Sequence, residues 1–184
     1  MNIAVYSGSF NPLHIGHLAI LRNLVEKFDK VLLVVSPKNP LKEIDGSAGE
    51  SRYLAAIEAV ARHPELDGKV EVSDIELHLP QPNYTYVTLD VLQELHPDDT
   101  LTLVTGGDQI ANFSRWREYR HILLSYGLAA FPRDGYDNEA ARDALLKENP
   151  DYNIMLLDMP LVNVSSSEIR AALASGADPS GLLM

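Results

Sequence analysis

The sequence has no cysteine. Without thiols the chain cannot form disulfides, use a thiolate nucleophile or bind zinc through cysteine, and it fits a reducing compartment. Basic residues are also scarce, since 15 Lys and Arg stand against 26 Asp and Glu, for a formal net charge of −11. An acidic surface repels phosphate backbones and anionic lipids. The composition therefore predicts neither a nucleic-acid partner nor a membrane partner.

Long hydrophobic runs are absent as well. The longest aliphatic run, Val31 to Val35, is far too short to span a membrane. The N-terminus, MNIAVYSGSF, lacks the basic and apolar segments of a secretory signal. We therefore expect a cytoplasmic protein. With 184 residues and 46% hydrophobic side chains, the chain is expected to form a single domain over residues 1–184.

Short apolar runs alternate with segments of helical periodicity. We predict strands at about 3–6, 31–35, 70–73, 101–105, 128–131 and 154–157, and helices at about 16–28, 52–62, 86–95, 115–124, 138–148 and 166–174. The polar stretch 37–51 is predicted to be a long loop that closes over a site. The alternation predicts an α/β fold, a Rossmann-like doubly wound parallel sheet of five to six strands with helices on both faces. Ligands bind such sheets beyond the carboxyl ends of the strands.

The first segment of chemical interest, SGSFNPLHIGH at residues 7–17, follows the first predicted strand. Gly8 allows a ligand to approach the backbone, while His14 and His17 lie three residues apart at the predicted start of a helix. Two imidazoles at the positive end of a helix dipole favour a polyphosphate ligand. The residues alone also permit a tight turn with two capping histidines, or a zinc site, although no third zinc ligand is obvious. The segment is not GxGxxG, and the chain contains no GxxxxGK[ST] motif.

The second segment, VSSSEIR at residues 164–170, follows the last predicted strand. Ser165 and Glu168 have the spacing of a capping box, so the segment could be a capped helix with a surface arginine. The same geometry also offers hydroxyl and N–H donors to phosphate oxygens. Arg170 would add a planar, two-pronged donor.

Together the two segments resemble the signatures of the HxGH nucleotidyltransferases: His14-Ile15-Gly16-His17 matches the histidine motif, and VSSSEIR is similar to the signature ISSTxIR. Four other segments resemble those of bacterial nicotinate-nucleotide adenylyltransferases. They are PKNPLK at 37–42, NYTYVTL at 83–89, GGD at 106–108 followed by Trp116, and PRDGY at 132–136. The resemblance runs from residue 2 to about residue 175. The chain departs from the family pattern with Asn11 for Asp, Leu41 for His and Ser167 for Thr.

This resemblance implies a nucleotidyltransferase domain over residues 1–184 that transfers AMP from ATP to nicotinate mononucleotide, giving deamido-NAD and pyrophosphate. The acceptor's own phosphate attacks ATP, so no protein nucleophile is needed. Mg²⁺ would be bound mainly through the ATP phosphates, with no metal ligands assigned in the protein. The implied partners are ATP and nicotinate mononucleotide, and no oligomeric state is implied. The alternatives are the same chemistry on nicotinamide mononucleotide, FMN or phosphopantetheine, and a non-catalytic nucleotide-binding sensor.

The resemblance also implies roles for single residues. The implied catalytic residues are His14, His17 and Arg170. The implied ATP site comprises Gly8, Ser9, Phe10, His14, His17, Gly106, Asp108, Ser165, Ser166 and Arg170. The implied nicotinate mononucleotide site comprises Ser9, Phe10, Lys42, Thr85, Trp116 and Arg133. From the residues alone, Asp108 could instead be a helix cap, Trp116 a core aromatic and Thr85 the cap of the helix near 86.

Overall fold

The computed structural model describes residues 1–37, 47–161 and 163–184. Its strands are β1 (Asn2–Gly8), β2 (Lys30–Val35), β3 (Val70–Ser73), β4 (Thr100–Gly106), β5 (Leu128–Phe131) and β6 (Ile154–Leu156). Its helices are α1 (Ile15–Lys27), α2 (Ser47–Ala61), α3 (Ile75–His78), α4 (Thr85–Leu95), α5 (Gly107–Ile110), α6 (Tyr119–Ser125), α7 (Asn138–Glu148) and α8 (Ser166–Ala174). Short 3-10 turns lie at Pro64–Leu66, Phe113–Arg115 and Ser180–Leu182. Within the described ranges, every helix is too short or too polar to cross a membrane.

All six strands form one parallel sheet in the order β3-β2-β1-β4-β5-β6. Val5 at the centre of β1 pairs with Leu32 of β2 on one side and with Leu103 of β4 on the other. The strand order reverses beside β1, which opens a crevice beyond the carboxyl ends of β1 and β4. The predicted doubly wound parallel sheet is confirmed.

Alternating side chains of β1, β2, β4 and β5 enter two separate hydrophobic layers. In β1, Ala4 and Tyr6 pack in the layer that holds α1 and α2, while Ile3 and Val5 pack in the layer that holds α4 and α6. Burying each large aliphatic side chain contributes about 1.5–3 kcal/mol. The sheet is therefore a rigid platform from which the loops after β1 and β4 project.

Two predicted boundaries are wrong. Helix α2 begins at Ser47, so the last part of the predicted loop 37–51 is helical. Gly49 indicated a loop, but a Cβ there would lie 2.9 Å from Cδ2 of Leu77, so glycine serves close packing. The predicted helix 115–124 begins only at Tyr119, because Glu118 has a left-handed backbone with φ of 56°. Lys42 lies outside the described residues.

Candidate active site

Two adjoining cavities open beyond the carboxyl ends of the central strands. We call the first the histidine cavity; it encloses about 470 Å³ between the start of α1 and the start of α8. We call the second the tryptophan cavity; it encloses about 460 Å³ between the loop after β1 and the start of α4. The residues that line both cavities are His17, Asp108, Phe131 and Arg133. Two ligands placed in these cavities would meet at those four side chains.

The two histidines cap helix α1 reciprocally. Nδ1 of His14 accepts the backbone N–H groups of Gly16 at 3.0 Å and His17 at 3.4 Å, and Nδ1 of His17 accepts the N–H of His14 at 3.1 Å. The rings stack with their centroids 3.7 Å apart. Because both Nδ1 atoms accept, each neutral ring carries its proton on Nε2. The capping alternative is therefore confirmed, and it orients an Nε2–H donor on each ring.

Gly16 makes this arrangement possible. A Cβ on Gly16 would lie 2.8 Å from Cε1 and 2.9 Å from Nδ1 of His14. A side chain would thus push the His14 ring away from the N–H groups that it caps. The glycine between the two histidines is a steric requirement of the ring stack.

Burial keeps both histidines neutral. Desolvation, with a smaller effect from the positive charge of Arg133, lowers the pKa of His14 to about 4. Desolvation, followed by the neighbouring His14 and by Arg133, lowers the pKa of His17 to about 3. At pH 7 the pair therefore presents neutral N–H donors to an anion, since desolvation disfavours imidazolium.

These lowered pKa values predict a pH dependence of stability. Below about pH 6.5 the unfolded chain protonates both histidines while the folded protein does not, so the free energy of unfolding falls as the pH falls toward 4. His17→Asn retains an oxygen to accept the His14 N–H but does not titrate. We expect the variant to lose about 1–2 kcal/mol less stability than the wild type between pH 7 and pH 5. Urea unfolding at both pH values measures this difference, and equal losses would contradict it.

The two sequence signatures meet although they come from opposite ends of the chain. Ser165 and Glu168 form the predicted capping box at the start of α8. The Ser166 hydroxyl donates to the carbonyl of Pro12 at 3.1 Å. Arg170 donates to the carbonyl of Asn11 at 2.7 Å and to Oγ of Ser167 at 3.1 Å. Helix α8 thereby holds the loop that leads to His14.

Asp108 and Arg133 face each other where the cavities join. Nε of Arg133 lies 3.8 Å from Oδ1 of Asp108. Among the described residues, Arg133 is the one Lys or Arg side chain that lines either cavity. Asp108 is the second residue of α5, whose N-cap is Gly106, so the interpretation of Asp108 as a helix cap is wrong.

On the far side of the tryptophan cavity, Trp116 is half-buried. The centroid of its ring lies 4.8 Å from the ring centroid of Phe113, a residue of the core. Trp116 itself also lines the tryptophan cavity. Thr85 is the first residue of α4 and lines the same cavity. Tyr84 is the N-cap of α4, so the interpretation of Thr85 as the cap is wrong.

The structure brings together most of the residues assigned by resemblance. The histidine cavity is lined by His14, His17, Asp108, Arg133 and Ser165. The tryptophan cavity is lined by Gly8, Ser9, Phe10, His17, Thr85, Gly106, Asp108, Trp116, Arg133 and Ser166. Arg170 is exposed and is absent from the linings of both cavities. Residues 1–37, 47–161 and 163–184 contain no group of three or more His, Cys, Asp or Glu placed to hold a metal ion, so the zinc alternative finds no site there.

Two buried charged residues next to the site were not expected from the sequence. Arg52 on α2 is 6% exposed, and its Nη1 donates to the carbonyls of Ser9 at 2.8 Å and Ser36 at 2.7 Å. Glu76 on α3 is also 6% exposed. Charged residues are usually exposed, so neither the helical pattern nor a motif distinguished these two.

Comparisons with known proteins show the family and the fold of the chain. The cytidylyltransferase-like family profile matches residues 5–172. A probable nicotinate-nucleotide adenylyltransferase of Flavobacterium johnsoniae is 34% identical over 100% of this chain and 92% of its own length. One of Bacteroides fragilis is 36% identical over 95% of this chain and 83% of its own length. The Plasmodium falciparum nicotinic acid mononucleotide adenylyltransferase, solved in complex with NaAD, has the same fold, with a TM-score of 0.79 at 24% identity over 96% of this chain and 86% of that one.

Proposed function

The chain belongs to the cytidylyltransferase-like family and is similar along its length to nicotinate-nucleotide adenylyltransferases, and we therefore propose that it transfers AMP from ATP to nicotinate mononucleotide, giving deamido-NAD and pyrophosphate in NAD biosynthesis. One observation carries the proposal. Two cavities, each large enough for a nucleotide, meet at His17 and Arg133, as a direct reaction between two bound nucleotides requires.

In the proposed reaction ATP lies mainly in the histidine cavity and the acceptor in the tryptophan cavity. Five residues that the resemblance assigns to ATP line the tryptophan cavity instead and would contact ATP only where the two cavities join: Gly8, Ser9, Phe10, Gly106 and Ser166. An oxygen of the acceptor's phosphate forms a bond to the α-phosphorus of ATP while the bond from that phosphorus to the bridging oxygen breaks. The electron pair of the broken bond leaves with pyrophosphate. The protein positions the two phosphates and stabilises the charge that develops. The Nε2–H groups of His14 and His17 and the guanidinium of Arg133 supply that stabilisation.

Other residues are proposed for recognition. Asp108 would accept hydrogen bonds from the ribose hydroxyls of ATP, Trp116 would stack on the pyridine ring, and the start of α4 at Thr85 would receive the nicotinate carboxylate. Their positions in the cavity walls support these roles. The proposed phosphate contacts of Ser165, Ser166 and Arg170, and the role of Lys42, stay predictions.

We propose Mg²⁺ as the ion that accompanies ATP and neutralises charge on its phosphates. Only scattered carboxylates occur among the described residues near the cavities, so phosphates and water would supply most of the ligands, as is usual for Mg²⁺. We also propose a single nucleotidyltransferase domain over residues 1–184, since all six strands belong to one sheet and both signatures contribute to one site. A cytoplasmic location stays a prediction.

Pyrophosphate release with ATP, Mg²⁺ and one acceptor at a time tests the proposal. We expect kcat/KM for nicotinate mononucleotide to exceed that for nicotinamide mononucleotide by ~10²-fold or more, because N–H groups at the start of α4 suit a carboxylate and oppose the donors of an amide. Equal use of both would mean a different acceptor pocket. Turnover with FMN or phosphopantetheine alone would show that the acceptor has been assigned wrongly. ATP binding without pyrophosphate release from any acceptor would indicate a non-catalytic nucleotide sensor.

A further inference from the structure

A chain of hydrogen bonds runs beside the tryptophan cavity through residues to which the resemblance assigns no role. Oε1 of the buried Glu76 accepts from the hydroxyl of Ser7 at 3.2 Å and from the hydroxyl of Thr88 at 3.0 Å. Oγ of Ser7 also lies 2.7 Å from Oγ of Ser36. Ser7 belongs to β1, Ser36 follows β2 and Thr88 belongs to α4. One carboxylate thus connects two strand ends to a helix.

The direction of these hydrogen bonds follows from counting protons. A serine hydroxyl has one proton to donate. Because Ser7 donates its proton to Glu76, the bond between Ser7 and Ser36 must be donated by Ser36. The Ser36 oxygen can then only accept further hydrogen bonds. Since Ser7 and Ser36 both line the tryptophan cavity, Glu76 makes this part of the wall an acceptor for donors of a ligand.

The same carboxylate fixes the opposite wall of the cavity. Thr88 is 1% exposed and lies one helical turn after Thr85, which lines the cavity. The Thr88 hydroxyl donates to Glu76 and accepts from Nδ2 of Asn83 at 2.7 Å. The first turn of α4 is therefore held at a set position relative to the ends of β1 and β2.

We propose that Glu76 is a positioning residue for the acceptor nucleotide. Through Thr88 it places Thr85, and through Ser7 it makes Ser36 accept a hydrogen bond from an O–H or N–H group of that nucleotide. The inference rests on the proposed function, which assigns the tryptophan cavity to the acceptor. None of Ser7, Ser36 and Thr85 lines the histidine cavity, so we expect ATP binding to change less than acceptor binding when this network is broken.

Glu76→Leu tests the inference by keeping a side chain of similar size and removing both carboxylate oxygens. Without an acceptor at position 76 the Ser7 hydroxyl can donate to Ser36, which frees the Ser36 proton to point into the cavity as a donor. We expect KM for nicotinate mononucleotide to rise by ~10-fold or more, while KM for ATP and kcat stay within ~3-fold. The control is Glu71→Leu on β3, whose exposed carboxylate pairs with Lys30 and which should change neither KM.

A double-mutant cycle with Ser36→Ala separates positioning from general stability. In the wild-type background Ser36→Ala should raise the acceptor KM. In the Glu76→Leu background it should add little, because Ser36 is then no longer held as an acceptor. Fully additive effects, equal rises in both KM values, or an unchanged acceptor KM would overturn the inference. Should Glu76→Leu fail to fold, Thr88→Val removes one hydroxyl at constant volume, and an unchanged acceptor KM in that folded variant would also overturn it.

Binding measurements keep this inference separate from the proposed function. Calorimetry with nicotinate mononucleotide and without ATP reports the tryptophan cavity alone. Acceptor binding that weakens in Glu76→Leu supports the positioning role even if no acceptor releases pyrophosphate from ATP, a result that would refute only the proposed function. Turnover by the wild type together with unchanged acceptor binding in Glu76→Leu would refute only the positioning role.

Discussion

His17→Asn is expected to lower kcat by at least ~10²-fold, the effect of losing one preorganised donor to developing charge. Oδ1 of Asn can still accept the N–H of His14, so the cap of α1 survives while the Nε2–H donor is lost. The affinity for ATP should change much less, since the contact strengthens as charge builds up in the transition state. Single-turnover measurement of pyrophosphate release separates these two effects.

The control for this variant is His121→Asn, which removes a histidine from α6 outside both cavity linings. It should leave kcat unchanged. If His17→Asn retained kcat within a few-fold of the wild type, His17 would be only a helix cap, and the site of phosphoryl transfer would lie elsewhere.

Arg133→Met is expected to lower kcat by ~10²-fold to ~10³-fold and to raise KM for both nucleotides. Arg133 lines both cavities, so in the proposed reaction its charge would act on ATP, on the acceptor and on the phosphates between them. Arg133→Lys should recover only part of the activity, because an ammonium cannot reproduce the planar fork of a guanidinium. Steady-state kinetics with each substrate varied in turn measures all three parameters.

A second measurement on Arg133→Met does not depend on turnover. The positive charge of Arg133 contributes to the low pKa of His14 and of His17, so its removal should raise both pKa values. NMR titration of the ring protons would detect the shift. Arg120→Met, which removes an exposed cation paired with Glu148 on another surface, should leave both pKa values in place. If Arg133→Met raised KM for the acceptor but not for ATP, Arg133 would contact only the ligand of the tryptophan cavity.

The strands were predictable because each is a short segment with apolar residues, bounded by polar or turn residues. All six begin and end within two residues of the predicted positions, and the apolar signal is strongest in β2 and β5, which are buried on both faces. Helix starts were less predictable. Glycine at position 49 serves close packing beside Leu77, a neighbour that only the folded chain supplies. The left-handed backbone of Glu118 delays the start of α6 to Tyr119, and the helical periodicity of the sequence carries no sign of it.

Within the site, motifs indicated the residues that would face ligands, but not those that hold the cavity walls. The sequence shows that His14 and His17 share one face, yet it does not show that their rings stack or that Arg133 stands beside them. Glu76 and Arg52 could not be predicted because their hydrogen-bond partners are distant in sequence: Ser7 donates to Glu76, and Arg52 donates to the carbonyls of Ser9 and Ser36. Their burial is a property of tertiary structure, for which single-residue preferences carry no signal.

The hydrogen bonds from α8 to the loop before His14 also constrain how the enzyme matures. Ser166 and Pro12 are separated by 154 residues, and Arg170 and Asn11 by 159. Contacts this distant in sequence pay their loop-closure entropy late in folding. On the ribosome, strand β1 and helix α1 emerge first, and α2 follows with Arg52, which donates to the carbonyl of Ser9 in the loop between them. The contacts of that loop with Ser166 and Arg170 can form only after α8 has been translated, so its geometry is completed late in synthesis.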